Sequence, residues 1–298
     1  MGSIVISIVY IAVAVGLVFW AVRAERDRSA RVGLYLVFGI PGVLLTVLGL
    51  ALIANGMDRR FVALSVGLGL VLPLVKSVRN QLARISPFDP RSAIDMAGLC
   101  VALGLTAFLA TSTSTTPSVS DSALISQVVI FVALGYTAVG VGISRSFKEA
   151  TIRLGIERPT LKSAGVGLGF VGVALVISAV ASGLSVAIQP DVSDKIQQTL
   201  QNMTSNVQNP AGAVLLGLSA AIGEEVLFRG ALQPRFGIIV TSLIFAALHT
   251  QYGFSITTLG ILGIGLMLGY ERKKYGLPAS IITHAVFNIL SVLALTYT

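Results

Sequence analysis

Ala220-Ala221-Ile222-Gly223-Glu224-Glu225-Val226-Leu227-Phe228-Arg229-Gly230 is the stretch on which the reading of this chain turns. Two adjacent carboxylates and a guanidinium sit inside an apolar run that otherwise reads as a membrane span. A charged side chain at the bilayer centre costs about 2.5–3.5 kcal/mol on insertion scales. On a helix, Glu225 and Arg229 are four apart, share a face and can pair, which offsets the cost for both. Glu224 points about 100° away from Glu225 and has no local partner. An unpaired carboxyl in a membrane helix marks a candidate functional site. The plainer alternative is that all three residues hold helices together.

The rest of the chain agrees with a membrane setting. Of 298 residues, 54% are hydrophobic and 11% charged, and mean hydropathy is +0.87. Soluble domains carry roughly 25% charge. A net charge of +8 would suggest a nucleic-acid partner in a soluble protein. Here the positive charges sit in short loops and report topology, so no nucleic acid is expected. Cys100, the single cysteine, excludes an intrachain disulfide.

Apolar runs fall near residues 3–22, 33–54, 61–78, 92–111, 122–144, 162–188, 211–235, 237–252, 254–270 and 277–297. They predict an all-α polytopic transmembrane helical bundle of about ten spans. Seventeen of the 21 Lys and Arg fall in the odd-numbered loops, including Arg153, Arg235 and Arg272–Lys274. Three fall in even loops: Arg59, Arg60 and Lys195. This asymmetry predicts cytoplasmic odd loops and both termini outside, in an integral membrane protein of the plasma membrane. Residues 111–122, rich in Ser and Thr, read as an external connection. Within residues 191–209, Ile196, Leu200, Met203 and Val207 form one apolar stripe, predicting a short helix on the outer membrane surface. Asp95, close to a span end, is expected to reach the interface.

Chemistry-bearing residues concentrate after Arg153. That divides the chain into residues 1–150, a transmembrane region of unassigned role, and residues 151–298, which hold the embedded acids and both histidines, His249 and His284. Pro234 and Gly237 mark a turn between the seventh and eighth runs. Glu224 precedes that turn and His249 follows it by similar lengths, so both lie roughly 18–20 Å along antiparallel helices. In the tenth run His284 and Asn288 are four apart on one face, roughly 10 and 16 Å in. Each alone is more often a packing residue; the convergence of all of them at neighbouring depth favours a site.

Glu224-Glu225-x-x-x-Arg229, Phe245-x-x-x-His249 and His284-x-x-x-Asn288, in that order, resemble the motifs of the CAAX protease and bacteriocin-processing family, intramembrane endopeptidases similar to the type II CAAX prenyl endopeptidase. Arg153-Leu154-Gly155-Ile156 and Arg158-Pro159 are similar to that family as well. The resemblance covers roughly residues 150–298. It implies that Glu224 and His249 activate a water, that His284 and Asn288 hold the oxyanion, and that Glu225 and Arg229 support them. The residue chemistry is suited to these roles: a carboxylate with an imidazole can deprotonate water, and imidazole and amide N–H groups can donate to an oxyanion.

No cofactor is required in this first reading. There is no His-Glu-x-x-His pair on one helix, yet Glu224, His249 and His284 would suffice for a three-ligand open zinc site. The resulting expectation is an intramembrane endopeptidase whose cavity faces the cytoplasmic half or the midplane. Its partners are the lipid bilayer and a peptide or membrane-anchored protein, including prenylated CAAX-type tails. The rivals are a proton-coupled transporter, whose Glu and His would thread through the membrane as a relay, and a non-catalytic membrane immunity or scaffold protein using the same cavity.

Overall fold

The computed structural model describes residues 2–55, 60–111, 118–253 and 255–297, and these are helical apart from turns and one isolated bridge between Val141 and Arg145. The first half contains α1 (Gly2–Ala24), α2 (Arg28–Ala54), α3 (Arg60–Val71), α4 (Lys76–Leu82), α5 (Ala93–Thr111) and α6 (Asp121–Ala138). The second half contains α7 (Phe147–Leu154), α8 (Leu161–Ile188), α9 (Pro190–Thr204), α10 (Pro210–Glu224), a π-helical segment Glu225–Leu232, α11 (Gln233–Leu248), α12 (Ile256–Tyr275) and α13 (Leu277–Tyr297). Residues 112–117 of the Ser/Thr-rich stretch at 111–122, and Arg59, lie outside the described residues.

Helix ends follow local chemistry. The Asp27 side chain accepts from Ser29 and Ala30 N–H and starts α2. Ser146 with Glu149, and Thr160 with Ser163, form reciprocal caps on α7 and α8. Asn209 caps α10 through Gly212 N–H, with Pro210 at the first helical position.

Six helices among the described residues are long and apolar enough to cross a membrane, or up to seven if a pair bent by 84° within residues 61–82 is one span. This is fewer than the ten expected, and the differences have local causes. The described apolar part of α1 is only Ile11–Ala24. α12 ends on Glu271-Arg272-Lys273-Lys274, which dilutes its apolar character. Pro210–Leu248 counts as one continuous helical stretch.

That last stretch nevertheless reverses direction at the predicted turn. Gly237 has φ 77° and ψ 171°, a conformation essentially confined to glycine. Phe228 and Phe245, on either side of the break, meet edge to face at 5.3 Å. On a straight helix they would be about 25 Å apart.

The core around this hairpin is made by α6 and α13 packed on α10, α8 packed on α12 and α13, and α11 packed on α12. On the outside, Leu36, Ile40, Leu44 and Val47 of α2 are more than half exposed. Such a surface suits hydrocarbon, which does not penalise exposed leucine. Where helices approach closely, glycine permits it: a Cβ at Gly49 would lie 2.4 Å from Leu64 N.

Two local expectations are corrected. Asp95 is buried; its carboxylate accepts from Asp89 N–H and pairs with Arg235. The sequence pattern missed this because the partner is far away along the chain. α9 forms where its periodicity predicts, but Ile196 and Leu200 face inward and line a cavity. A backbone bond from Val119 N–H to Met203 O (2.8 Å) and one from Ile256 N–H to the side-chain Oε1 of Gln189 (3.1 Å) tie α9 and its flank to the protein.

Candidate active site

Glu224 is the last residue of α10, where the helix passes into the π-helical segment. A single π turn widens the ladder and is frequent at functional sites. The two adjacent carboxylates diverge here. Glu225 turns into the protein and is completely buried, whereas Glu224 lines a cavity of about 440 Å³. His249, His284 and Asn288 line the same cavity. All four residues expected from the sequence are thus brought to one space by three segments, the end of α10, the end of α11 and one face of α13, with α8, α9 and α12 as walls.

Besides Ser280, Glu225 meets two basic side chains. Its Oε2 lies 3.8 Å from Arg229 Nε, the expected pair, and both side chains are fully buried. Its Oε1 lies 3.0 Å from His284 Nδ1, which donates to it. Arg229 also donates to Gly265 O at 3.3 Å, and its guanidinium lies 4.6 Å from the centre of the Phe245 ring. One turn on, Gln233 donates to Gly269 O at 2.8 Å. Two carbonyls of α12 therefore fasten this segment at glycine positions, where no side chain obstructs the approach.

Glu224 is not without partners, as the helix geometry alone suggests. Gln127 of α6 donates to its Oε1 at 3.4 Å, and His284 Nε2 lies 3.8 Å from its Oε2. That imidazole therefore spans the two carboxylates, Nδ1 on Glu225 and Nε2 toward Glu224. His249 Nδ1 lies 2.7 Å from Phe245 O. A carbonyl can only accept, so Nδ1 carries the proton and Nε2 of the neutral ring keeps a free lone pair.

Sequence reasoning missed Gln127, Tyr252 and the hydroxyl-rich wall. Gln127 is the one amide within the apolar run of α6, a signal of the same kind as Glu224. Tyr252 stacks on His249 at 6.3 Å and lines the cavity. Ser178, Ser182, Ser193, Thr257 and Ser291 give the remaining wall a polar character suited to peptide groups. No three His, Cys, Asp or Glu among the described residues are grouped closely enough to hold a metal ion. His284 Nδ1 is engaged by Glu225, which leaves Nε2, on the Glu224 side, as its free ring nitrogen.

The cavity mouth lies at one end of the bundle. It is lined by α9, the C-terminal half of α8, the start of α12 and Leu295 near the end of α13. Arg235 and residues 272–274 lie at the opposite ends of their helices. The mouth therefore opens on the side of the even loops and the C-terminus. An opening to the cytoplasmic half and termini outside exclude one another.

This is a polytopic helical membrane protein with a Glu/His/Asn cavity embedded between its helices. Residues 206–290, which contain Glu224, Glu225, Arg229, His249, His284 and Asn288 but not the family-like stretch at Arg153–Pro159, match the Rce1-like family model, described as Type II CAAX prenyl endopeptidase Rce1-like. That family is one of proteases. The uncharacterized protein YpbD of Bacillus subtilis (strain 168) is 38% identical over 81 residues, or 25% of this chain and 42% of YpbD. The chain thus matches less than half the length of that relative. No solved structure matches it.

Proposed function

We propose that the protein is an intramembrane endopeptidase that hydrolyses a peptide bond of a membrane-associated protein or peptide. The observation that carries this reading is the convergence of Glu224, His249, His284 and Asn288 on one cavity within the Rce1-like segment. Glu224 is the general base: its carboxylate takes a proton from water as the oxygen attacks the scissile carbonyl. His249, with Nδ1 held by Phe245 O, accepts at Nε2 and orients or relays that proton, which goes to the leaving amine nitrogen as the tetrahedral intermediate collapses and the C–N bond breaks. The developing oxyanion is met by the Asn288 amide and by His284 Nε2–H. That role requires the His284 ring to carry both protons, flanked by Glu225 on one nitrogen and Glu224 on the other. Glu225 and Arg229 position His284.

No metal enters this mechanism. The substrate class is a C-terminal or loop segment of a membrane-anchored protein, with prenylated CAAX-type tails the first to test. The location proposed is the plasma membrane, with both termini outside. A relay through the membrane fits less well, because the titratable side chains share one cavity instead of forming a file.

The test is a peptidase assay on purified full-length protein with matched prenylated and unprenylated peptides, Glu224→Gln as control, and metal content measured alongside. Cleavage by wild type, retained after chelation and lost in Glu224→Gln, is the expected result. Binding without cleavage would make the protein a scaffold. Stoichiometric zinc that disappears in His284→Ala, with cleavage abolished by chelation, would replace the glutamate–histidine mechanism with a metal one.

A further inference from the structure

A second cavity, of about 220 Å³, lies on a different flank of the bundle from the site and runs from Arg235 to Leu248, the residue next to His249. Its walls come from α1, α5, α6, the π-helical segment and α11, and are almost wholly apolar, including Leu17, Leu134, Phe228 and Leu248. Val101 and Leu105 on its rim are 41% and 51% exposed on the outer surface of the bundle, so it opens sideways toward lipid. At its end stands Arg235. It joins the N-terminal helices to the Rce1-like segment without sharing space with Glu224 or His249.

Arg235 belongs to a group of four half-buried arginines. Arg145, Arg235 and Arg272 all lie close enough to Arg153 to repel it, and with burial, the larger cause, they hold its pKa below the usual arginine value. Three of the four have acids nearby: Asp95 pairs with Arg235, Glu157 lies near Arg272 and Glu149 near Arg145. Arg153 makes no hydrogen bond or ion pair among the described residues. A half-buried guanidinium beside three others attracts an anion. α7, which carries Arg153, packs across the π-helical segment: Leu154, Val226 and Ala231 share one apolar cluster, and Ala231 also lines the cavity. The unpaired charge and the apolar space are therefore adjacent, at the level where spans meet the basic loops.

We infer that this is a structural lipid site: an anionic glycerophospholipid places its phosphate against Arg153 and Arg235 and an acyl chain in the apolar cavity. Guanidinium groups bind phosphate oxygens by charge-assisted hydrogen bonds. Interhelical basic pockets on the basic side of a membrane protein recognise such headgroups. The lipid would seal the N-terminal helices to the Rce1-like segment on a different flank from the site.

The test uses full-length protein, delipidated in detergent and titrated with phosphatidylglycerol, phosphatidylcholine or inorganic phosphate, with bound lipid read by native mass spectrometry. One phosphatidylglycerol per chain is expected, with phosphatidylcholine roughly fivefold weaker or more, the attraction of a single basic residue for an anionic lipid. Arg153→Gln should weaken phosphatidylglycerol by a similar factor, and Lys273→Gln, an exposed basic residue on the same side, should not. Ala102→Trp should block the chain by filling the cavity. Equal binding by Arg153→Gln, equal loss in Lys273→Gln, unchanged binding in Ala102→Trp, or displacement by inorganic phosphate would each overturn the assignment. The last of these would leave a simple anion site.

Discussion

Neighbouring glutamates with opposite fates offer the sharpest test of the site. Glu225 is fully buried, 3.8 Å from a fully buried Arg229 and 3.0 Å from His284. Glu225→Gln keeps the shape and can still accept from His284, but leaves Arg229 without a counter-charge. Breaking one half of a buried pair costs about 3–5 kcal/mol. That is roughly two to nearly four decades in the folding equilibrium. Glu224 is different. Its carboxylate meets the cavity and is held only by Gln127 at 3.4 Å and His284 at 3.8 Å. A glutamine there can still accept from Gln127, so stability should change by less than about 1 kcal/mol. Loss of a general base should lower turnover by about 10²–10⁴-fold.

The measurement is paired: thermal melting of detergent-purified protein, and cleavage per folded molecule. Glu224→Gln should melt like wild type and fail to cleave. Glu225→Gln should melt early, and the residual folded fraction should cleave poorly because His284 has lost its anionic partner. The reasoning fails if the two variants exchange behaviours, or if Glu224→Gln cleaves at a near-normal rate.

His284→Ala should cost more turnover than Asn288→Ala, and lower the melting point as well, since it removes the partner of Glu225; Asn288→Ala should lose about 10²–10³-fold in rate with the fold intact, and equal stability of the two variants would contradict this. Gly237→Ala should destabilise by about 1–3 kcal/mol, read as reduced folded yield, because only glycine accepts this φ/ψ and a Cβ would lie 2.9 Å from Pro87 Cδ. In a Cys100→Ala background, a cysteine at Ser193 beside the cavity mouth should react with an impermeant reagent in intact cells and one at Lys274 should not; the reverse pattern would invert the topology drawn from the charges.

The depth of the site was legible because it is counted from one turn. Gly237 sets a common origin, and equal lengths on either side bring Glu224 and His249 to one cavity whatever the side chains between them. The four-residue spacing of His284 and Asn288 likewise survives folding, because both lie on one uninterrupted helix. What spacing could not carry was contact between segments distant in sequence. The pairing of His284 with Glu225, of Gln127 with Glu224 and of Asp95 with Arg235 depends on how helices rotate against one another, which periodicity leaves free. The π turn is also invisible to an α-helical count, and it separates the environments of two adjacent, chemically identical carboxylates.

Charge asymmetry and the fold inform on different questions, and only together do they place the cavity mouth. Seventeen of 21 basic residues in alternate loops are the ground for the proposed topology but carry nothing about where a cavity opens. The lining of the cavity says that its mouth shares an end with α9 and the end of α13, and carries no information about membrane side. Combined, they direct the mouth away from the basic loops, and on the proposed topology the arginine group then lies at the cytoplasmic end. A substrate segment would then enter between α9 and the start of α12, where Ile196 and Leu200 present the inward stripe that periodicity had assigned to the membrane surface. An amphipathic pattern specifies that a face is covered; which surface covers it is decided by the helices that pack nearby.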